Sequence, residues 1–139
     1  MDSHKSTING CQLIDIRSYS DNRGYLSVIE NNIDVPFEIK RIYYLYMVPE
    51  VARGAHAHKE LRQLLIATSG SVEVIMDDGT NKKSFILDKP WMGLLIPPGL
   101  WRDLENFTKD AVLLCLASEK YDANDYIRDY EEFLAYKKS

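Results

Sequence analysis

The chain has 139 residues, of which 45% are hydrophobic, and its formal net charge is -4 at pH 7. This length predicts one domain over residues 1–139, with enough apolar side chains to fill one core. The acidic balance argues against a nucleic-acid partner, because such a partner requires clustered lysine and arginine. The sequence has no apolar run of membrane-spanning length, and the polar start Met1–Lys5 lacks the apolar core of a signal peptide. We therefore expect a cytoplasmic protein without a membrane partner.

Short segments typical of β-strands follow one another at about ten-residue spacing, each set off by turn residues, and predict an all-β sandwich or barrel. The segment Gln12–Arg17 is expected to pair with Tyr25–Glu30 as a hairpin across the turn cluster Ser20–Gly24. Further strands are expected over residues 38–47, 63–68, 71–76, 82–87, 93–96, 100–104 and 111–117.

Near the C-terminus the hydrophobic period changes from two residues to three or four. Apolar residues recur with this period from Tyr126 to Leu134, which predicts an amphipathic helix over residues 124–137. Asp122 or Asn124 can cap its first turn. We expect this helix to pack on the outside of the sandwich.

Two of the three histidines, His56 and His58, are separated by one residue in the run Arg53–Lys59. If this run is a strand, alternation directs both imidazoles to the same face. Two imidazoles on one face make the histidine pair the leading candidate for a functional site. In the preceding predicted strand, the same alternation puts Arg41 and Tyr43 together on one face.

The His-x-His spacing and the glycine turn that follows are similar to the first motif of the cupins, and Pro97–Asn106 is similar to their second motif. Two metal-ligand positions differ, because Gln63 replaces a glutamate and Arg102 replaces the third histidine. A transition metal needs three or four ligands and is repelled by a guanidinium, so we predict no bound metal. A guanidinium beside two imidazoles suits an anionic or oxyanion-forming substrate.

A longer set of motifs resembles the bacterial dTDP-sugar 3,4-ketoisomerases of the WxcM-like, FdtA/QdtA group, within the cupin superfamily. The motifs that carry this resemblance are Asp21–Leu26, Pro36–Tyr44, Arg53–Lys59, Gly70–Val72, Asp77–Gly79 and Tyr121–Tyr130. The resemblance implies a cupin-type double-stranded β-helix, or jelly roll, with a C-terminal helix. It also implies a homodimer with exchanged N-terminal strands and an enzyme without a metal or other cofactor.

The implied substrate is dTDP-4-keto-6-deoxy-D-glucose, whose carbonyl moves from C4 to C3. The product class supplies aminotransferases that make 3-amino-3,6-dideoxy sugars for surface polysaccharides such as lipopolysaccharide O-antigen. Moving the carbonyl requires a base near neutral pKa to take the C3 proton, and His56 matches the catalytic histidine of the family. His58 and Tyr43 are candidates to carry protons between the sugar oxygens. Arg102 or Arg23 can stabilise the oxyanion that develops.

The pyrophosphate of such a substrate calls for guanidinium groups, and Arg41 and Arg53 are the candidates. Gln63 either contacts the substrate or forms hydrogen bonds beneath the site. Family members that form the galacto epimer carry arginine before Gly24 and histidine at the position of Arg102, whereas gluco-forming members carry tyrosine and arginine. This chain has one residue from each pattern, so the resemblance leaves the configuration at C4 open.

Three other functions compete with this interpretation. A sugar-nucleotide 3,5-epimerase also uses a metal-free cupin and a histidine base, but the Arg-Gly-x-His-x-His run favours the isomerase. A non-catalytic cupin that binds a sugar would keep its function after loss of His56. A metal-dependent, dioxygenase-like cupin is opposed by Gln63 and Arg102.

Overall fold

The structure is a computed structural model that describes residues 7–49 and 53–139, so the predicted polar start Met1–Lys5 lies outside the described residues. Within these ranges, short strands dominate and are followed by one α-helix. The elements are β1 (Thr7–Ile8), β2 (Cys11–Asp15), β3 (Ser18–Asp21), β4 (Gly24–Ser27), β5 (Arg41–Tyr46), β6 (Arg53–His58), β7 (Gln63–Ser69), β8 (Val72–Asp77), β9 (Lys82–Leu87), β10 (Met92–Ile96), β11 (Trp101–Glu105), β12 (Val112–Ala117), β13 (Tyr126–Ile127) and α1 (Tyr130–Lys138).

Two antiparallel sheets form the body of the fold, with strand orders β1-β2-β10-β7-β12-β5 and β13-β6-β11-β8-β9. Their facing sides supply one core, in which Val74 of β8, Leu94 of β10 and Leu113 of β12 are fully buried. Strands β7 to β12 agree with the predicted strands to within one residue at each end. The predicted all-β class with a C-terminal helix is confirmed.

The N-terminal hairpin is formed by different residues from those predicted. Strand β3 pairs with β4, from Ser18 opposite Ser27 to Asp21 opposite Gly24, whereas the segment expected to form the first arm contributes β2 to the six-stranded sheet. Every residue of the β3–β4 hairpin is exposed. A hairpin with no buried face has little to stabilise it within its own chain.

The C-terminal helix begins six residues later than predicted over residues 124–137. A 3-10 helix, Ala123–Asp125, comes first, and β13 then pairs with β6 so that Tyr126 is opposite His58. Asp129 caps α1 by accepting a hydrogen bond from the backbone of Glu132, whereas Asp122 caps the 3-10 helix. The apolar residues just before α1 keep the helical spacing, but their backbone pairs with β6 at the edge of the sheet and is not helical.

A glycine bulge sets the direction of the strand that carries the histidine pair. Arg102 of β11 is opposite His56, whereas Leu104 is opposite Arg53, so β6 contains one extra residue between the two pairs. Gly54 occupies this bulge at φ +83°, and a Cβ there would lie 2.8 Å from the Leu104 side chain. Glycine is therefore required on both steric and conformational grounds, and the bulge directs His56 into the space between the sheets.

No helix in the described ranges is long and apolar enough to cross a membrane.

Candidate active site

A cavity of about 330 Å³ opens between the two sheets, next to the histidine pair. Most of the predicted site residues line it: Arg41, Tyr43, Arg53, His56, Gln63 and Arg102. Strands β5 and β7 of one sheet and β6 and β11 of the other supply these side chains. The volume is within the range of small-molecule sites, at its lower end.

The two imidazoles face one space, as predicted from alternation. Their Nε2 atoms are 3.1 Å apart, within hydrogen-bond distance, and the rings meet edge to face. His56 lines the cavity, whereas His58 is only 1% exposed and lies behind it. The ring of Tyr126 packs on both, with its centroid 5.1 Å from that of His56 and 4.4 Å from that of His58. Only His56 can therefore touch a ligand directly.

Asp125, at the end of the 3-10 helix, lies behind His58, on the side away from the cavity. Its Oδ2 atom is 3.1 Å from His58 Nδ1. The same carboxylate accepts hydrogen bonds from the backbone N–H groups of Glu60 and Leu61. Three side chains thus form a line from Asp125 through His58 to His56 and the cavity.

Both imidazoles are held in the neutral form. Burial and the nearby Arg102 guanidinium lower the pKa of His56 to about 2, with smaller contributions from His58 and Arg128. Burial and Arg102 likewise lower the pKa of His58 to about 3. A neutral imidazole has a free lone pair, so His56 is able to accept a proton at neutral pH.

Arg102 is the charged centre of the site and is only 2% exposed. One terminal nitrogen donates a hydrogen bond to Gln63 Oε1 and the other to the backbone oxygen of Leu100. Its Nε atom has no hydrogen-bond partner within the described residues. Burial lowers the pKa of Arg102, yet an arginine side chain keeps its charge in proteins. The site therefore holds a buried positive charge with no carboxylate hydrogen-bonded to it in the described ranges.

Gln63 connects this charge to Tyr43. Its Nε2 atom donates a hydrogen bond of 2.7 Å to the Tyr43 hydroxyl, while its Oε1 atom accepts from Arg102. This geometry agrees with the expectation of a polar group hydrogen-bonded beneath the site, although Gln63 also reaches the cavity wall. Burial is the main cause of the raised pKa of Tyr43, so its hydroxyl stays protonated near neutral pH.

Four guanidinium groups line the cavity, from Arg41, Arg53, Arg102 and Arg128, and no aspartate or glutamate of the described chain is among the lining residues. The Arg41 guanidinium lies 5.0 Å from the ring centroid of Tyr43, and that of Arg128 lies 4.1 Å from the ring centroid of Tyr126. Such a cavity favours an anionic ligand.

Two predicted site residues do not line the cavity: His58 lies directly behind His56, whereas Arg23 is remote from the site. Arg23 lies in the turn of the exposed β3–β4 hairpin, where its guanidinium pairs with Asp21. Its side chain is almost fully exposed and is not among the residues that line the cavity.

The site does not provide the donor set of a cupin metal. Within residues 7–49 and 53–139 there is no group of three or more histidine, cysteine, aspartate or glutamate side chains arranged to hold an ion. The two imidazoles would be two ligands, but Arg102 lies opposite His56 on β11, and its guanidinium repels a cation.

Sequence reasoning missed Asp125, Tyr126 and Arg128 as parts of this site. All three lie in the segment predicted as the first turns of a helix, and that prediction gave no reason to place them beside β6. The available signal was the motif Tyr121–Tyr130, which contains all three and was identified without any role for them.

Comparison with known proteins gives a consistent set of relatives. The family model FdtA (WxcM-like, C-terminal) matches residues 9–138. A TDP-4-oxo-6-deoxy-α-D-glucose-3,4-oxoisomerase from Aneurinibacillus thermoaerophilus is 43% identical over 126 residues, which cover 90% of this chain and 91% of that protein.

Crystal structures of similar proteins agree over nearly the whole chain. A 3,4-ketoisomerase from Helicobacter canadensis has a TM-score of 0.91 and 49% identity, covering 94% of this chain and 98% of its own. The 3,4-ketoisomerase QdtA from Thermoanaerobacterium thermosaccharolyticum was crystallised as a histidine-to-asparagine variant in complex with TDP-4-keto-6-deoxyglucose. That structure has a TM-score of 0.92 and 41% identity, covering 95% of this chain and 96% of its own.

Proposed function

This chain belongs to the WxcM-like FdtA family of sugar-nucleotide 3,4-ketoisomerases, and we propose that it converts dTDP-4-keto-6-deoxy-D-glucose into the 3-keto-6-deoxyhexose. The observation that carries the proposal is a neutral histidine, His56, at the wall of a cavity that also contains a buried arginine. A proton acceptor beside a fixed positive charge is what the formation of an enediolate requires.

In the first step, His56 takes the proton from C3, and the electrons of that bond form an enediolate with C4. Arg102 stabilises the negative charge on the oxygen, because its guanidinium is buried and held in place by Gln63 and Leu100. The proton then returns to C4. The carbonyl at C4 becomes a hydroxyl, and the hydroxyl at C3 becomes a carbonyl.

A second proton must pass from the oxygen on C3 to the oxygen on C4. Tyr43 is the better placed of the two candidates, because it lines the cavity and its protonated hydroxyl can donate one proton while accepting another. His58 has no cavity surface and acts through His56.

The nucleotide end of the substrate carries a pyrophosphate, which we assign to Arg41, Arg53 and Arg128. Its negative charges also have an effect on the base. Burial is the largest cause of the lowered pKa of His56, and the charges of Arg102 and Arg128 add to it. A pyrophosphate beside Arg128 offsets part of this charge, so substrate binding raises the pKa of His56.

The decisive experiment is incubation with dTDP-4-keto-6-deoxyglucose in deuterated water, with a 3-aminotransferase added to trap the product. We expect a 3-amino sugar that carries deuterium at C4, and recovered substrate that carries deuterium at C3. NMR of the trapped sugar gives the configuration at C4 directly.

The same experiment separates the competing functions. A 3,5-epimerase would introduce deuterium at C3 and C5 while leaving the carbonyl at C4. A non-catalytic sugar-binding protein would introduce none. A metal-dependent enzyme would lose its activity with a chelator and regain it with an added metal. Either of the first two results would contradict the proposed isomerisation, and the third would contradict a metal-independent mechanism.

We further propose that the active unit is a cytoplasmic homodimer of single-domain chains with exchanged N-terminal strands. Support comes from the hairpin β3–β4, in which Tyr25 is 88% exposed, and from the edge strand β5, whose outer face exposes Ile42, Tyr44 and Tyr46. Exposed aromatic residues beside a strand edge that has no partner among the described strands favour association with a second sheet. Exchange of the hairpin would carry Arg23 toward the cavity of the other subunit.

We expect sedimentation equilibrium to give about twice the chain mass of 16.0 kDa. The Tyr44→Lys variant should shift the protein toward monomer, because it puts a charge into the buried interface. Ile86→Lys is the matched control, since Ile86 is exposed to a similar degree (54%, against 58% for Tyr44) but lies on β9 of the other sheet. A monomeric wild-type protein, or equal effects of the two variants, would contradict the proposed interface.

A further inference from the structure

The hydrogen bonds of the Asp125 carboxylate determine which ring nitrogen of His58 carries the hydrogen. Its side chain is 12% exposed, and its carboxylate accepts bonds from Glu60 N at 2.7 Å, Leu61 N at 3.3 Å and His58 Nδ1 at 3.1 Å. The two backbone groups can only donate, so both oxygens are used as acceptors. His58 must therefore carry its hydrogen on Nδ1.

This tautomer leaves the lone pair of His58 on Nε2, which is the atom 3.1 Å from His56 Nε2. In a hydrogen bond between these two nitrogens, the proton then has to come from His56. With this hydrogen on Nε2, neutral His56 has its lone pair on Nδ1, and Nδ1 is the atom that takes the substrate proton. The Nε2–H of the imidazolium that forms then has an acceptor already in position. With the other tautomer, His58 would present an N–H group to the new positive charge.

We propose that Asp125 is a positioning residue of the isomerase: it holds His58 as the Nδ1–H tautomer, and His58 Nε2 then accepts the N–H of His56 while His56 carries the substrate proton. The catalytic part of this inference rests on the proposed function, whereas the tautomer does not. Asp125 does not line the cavity, so it acts through the histidines and does not touch the substrate.

The variant that tests this role is Asp125→Asn. In either orientation the NH₂ group of the new amide meets a backbone N–H donor, from Glu60 or from Leu61. The bond from Glu60 N (2.7 Å) is shorter than that from Leu61 N (3.3 Å), so the orientation that keeps the oxygen toward Glu60 N loses less. The amide NH₂ then faces His58 and donates to Nδ1. The tautomer of His58 is reversed, and its Nε2–H points at His56.

Two readouts separate the tautomer from its catalytic effect. The chain has three histidines, so ¹⁵N spectra of histidine-labelled protein near pH 7 report the protonated nitrogen of each ring with little overlap. We expect Nδ1–H for His58 in the wild type and Nε2–H in Asp125→Asn. With this reversal, kcat should fall by about 10²-fold or more, because protonated His56 would face the N–H of His58 and most of the contribution of general-base catalysis would be lost. KM should change little, since Asp125 does not line the cavity.

Asp122→Asn is the matched control. It removes the same charge three residues away and keeps an oxygen to cap the 3-10 helix, and the Asp122 carboxylate accepts from Asn124 N, whereas the carboxylate bonded to His58 is that of Asp125. Asp122→Asn should leave the spectra and kcat unchanged.

An Nε2–H signal from His58 in the wild type would overturn the proposal, and this measurement decides even if Asp125→Asn does not fold. A reversed tautomer with wild-type kcat would also overturn it. If the wild type has no isomerase activity, the proposed function fails, while the spectra still decide the role of Asp125 in fixing His58.

Discussion

Replacement of His56 by asparagine is expected to lower kcat by about 10³-fold or more, within the range that a general base contributes. The asparagine amide can fill part of the space of the imidazole and form hydrogen bonds, but it cannot accept a proton from carbon. The remaining ring, His58, is buried behind this position and has no cavity surface from which to reach C3. Rates from the aminotransferase-coupled assay, with NMR detection of C3 exchange, measure the loss.

The fold should survive this substitution, because His56 is only half-buried and belongs to a strand paired on both sides. Thermal unfolding of the variant should therefore stay close to that of the wild type. Lys59→Gln is a suitable control on the same segment, since Lys59 is exposed and just beyond β6. An asparagine variant that keeps most of the wild-type rate of C3 exchange would show that another group takes the proton.

Most of the strands could be predicted from the sequence because a strand shows alternating apolar and polar residues within a short segment. Alternation in β5 gave the common face of Arg41 and Tyr43, and alternation in β6 gave that of His56 and His58. The turn Asp77–Gly79 gave the β8–β9 hairpin. These features depend on the local pattern, and the fold preserves that pattern wherever a strand has one buried face.

The back of the site could not be predicted in the same way, because it depends on which distant segment pairs with β6. The residues from Asp125 to Arg128 have a helical spacing of apolar side chains, yet pairing with β6 fixes their conformation. The hydrogen bond between Asp125 and His58 joins residues 67 positions apart, a contact that no local pattern indicates. Tertiary pairing thus overrides local propensity at the point that matters for the chemistry.

Arg23 differs from these cases, because its motif was identified and its position in the single chain still leaves it remote from the cavity. The hairpin that carries it has no buried face. A functional role for Arg23 therefore depends on the proposed exchange between subunits, which makes the oligomeric state part of the definition of the site.

The Arg102→Gln variant is expected to lower kcat by about 10²-fold, in line with the loss of one oxyanion-stabilising group. Glutamine is chosen because its amide can still donate to Gln63, so the variant removes the charge and keeps a donor. Rates with the trapped product measure this effect. Arg62→Gln is the matched control, because the Arg62 guanidinium lies over Phe37 and donates to the backbone oxygen of Pro36, away from the cavity.

The same variant should change the pH dependence in a specified direction. Burial comes first and the charge of Arg102 second among the causes that lower the pKa of His56 to about 2, so removal of the charge raises this pKa. A base acts in its neutral form, so activity is full above its pKa and is lost as the pH falls through it. Since kcat/KM reports the free enzyme, its acid limb should move toward neutral pH in Arg102→Gln, while the wild-type profile stays flat until lower pH. Coincident profiles in the two proteins would contradict a contribution of the Arg102 charge to the lowered pKa of His56 and would leave burial as its cause.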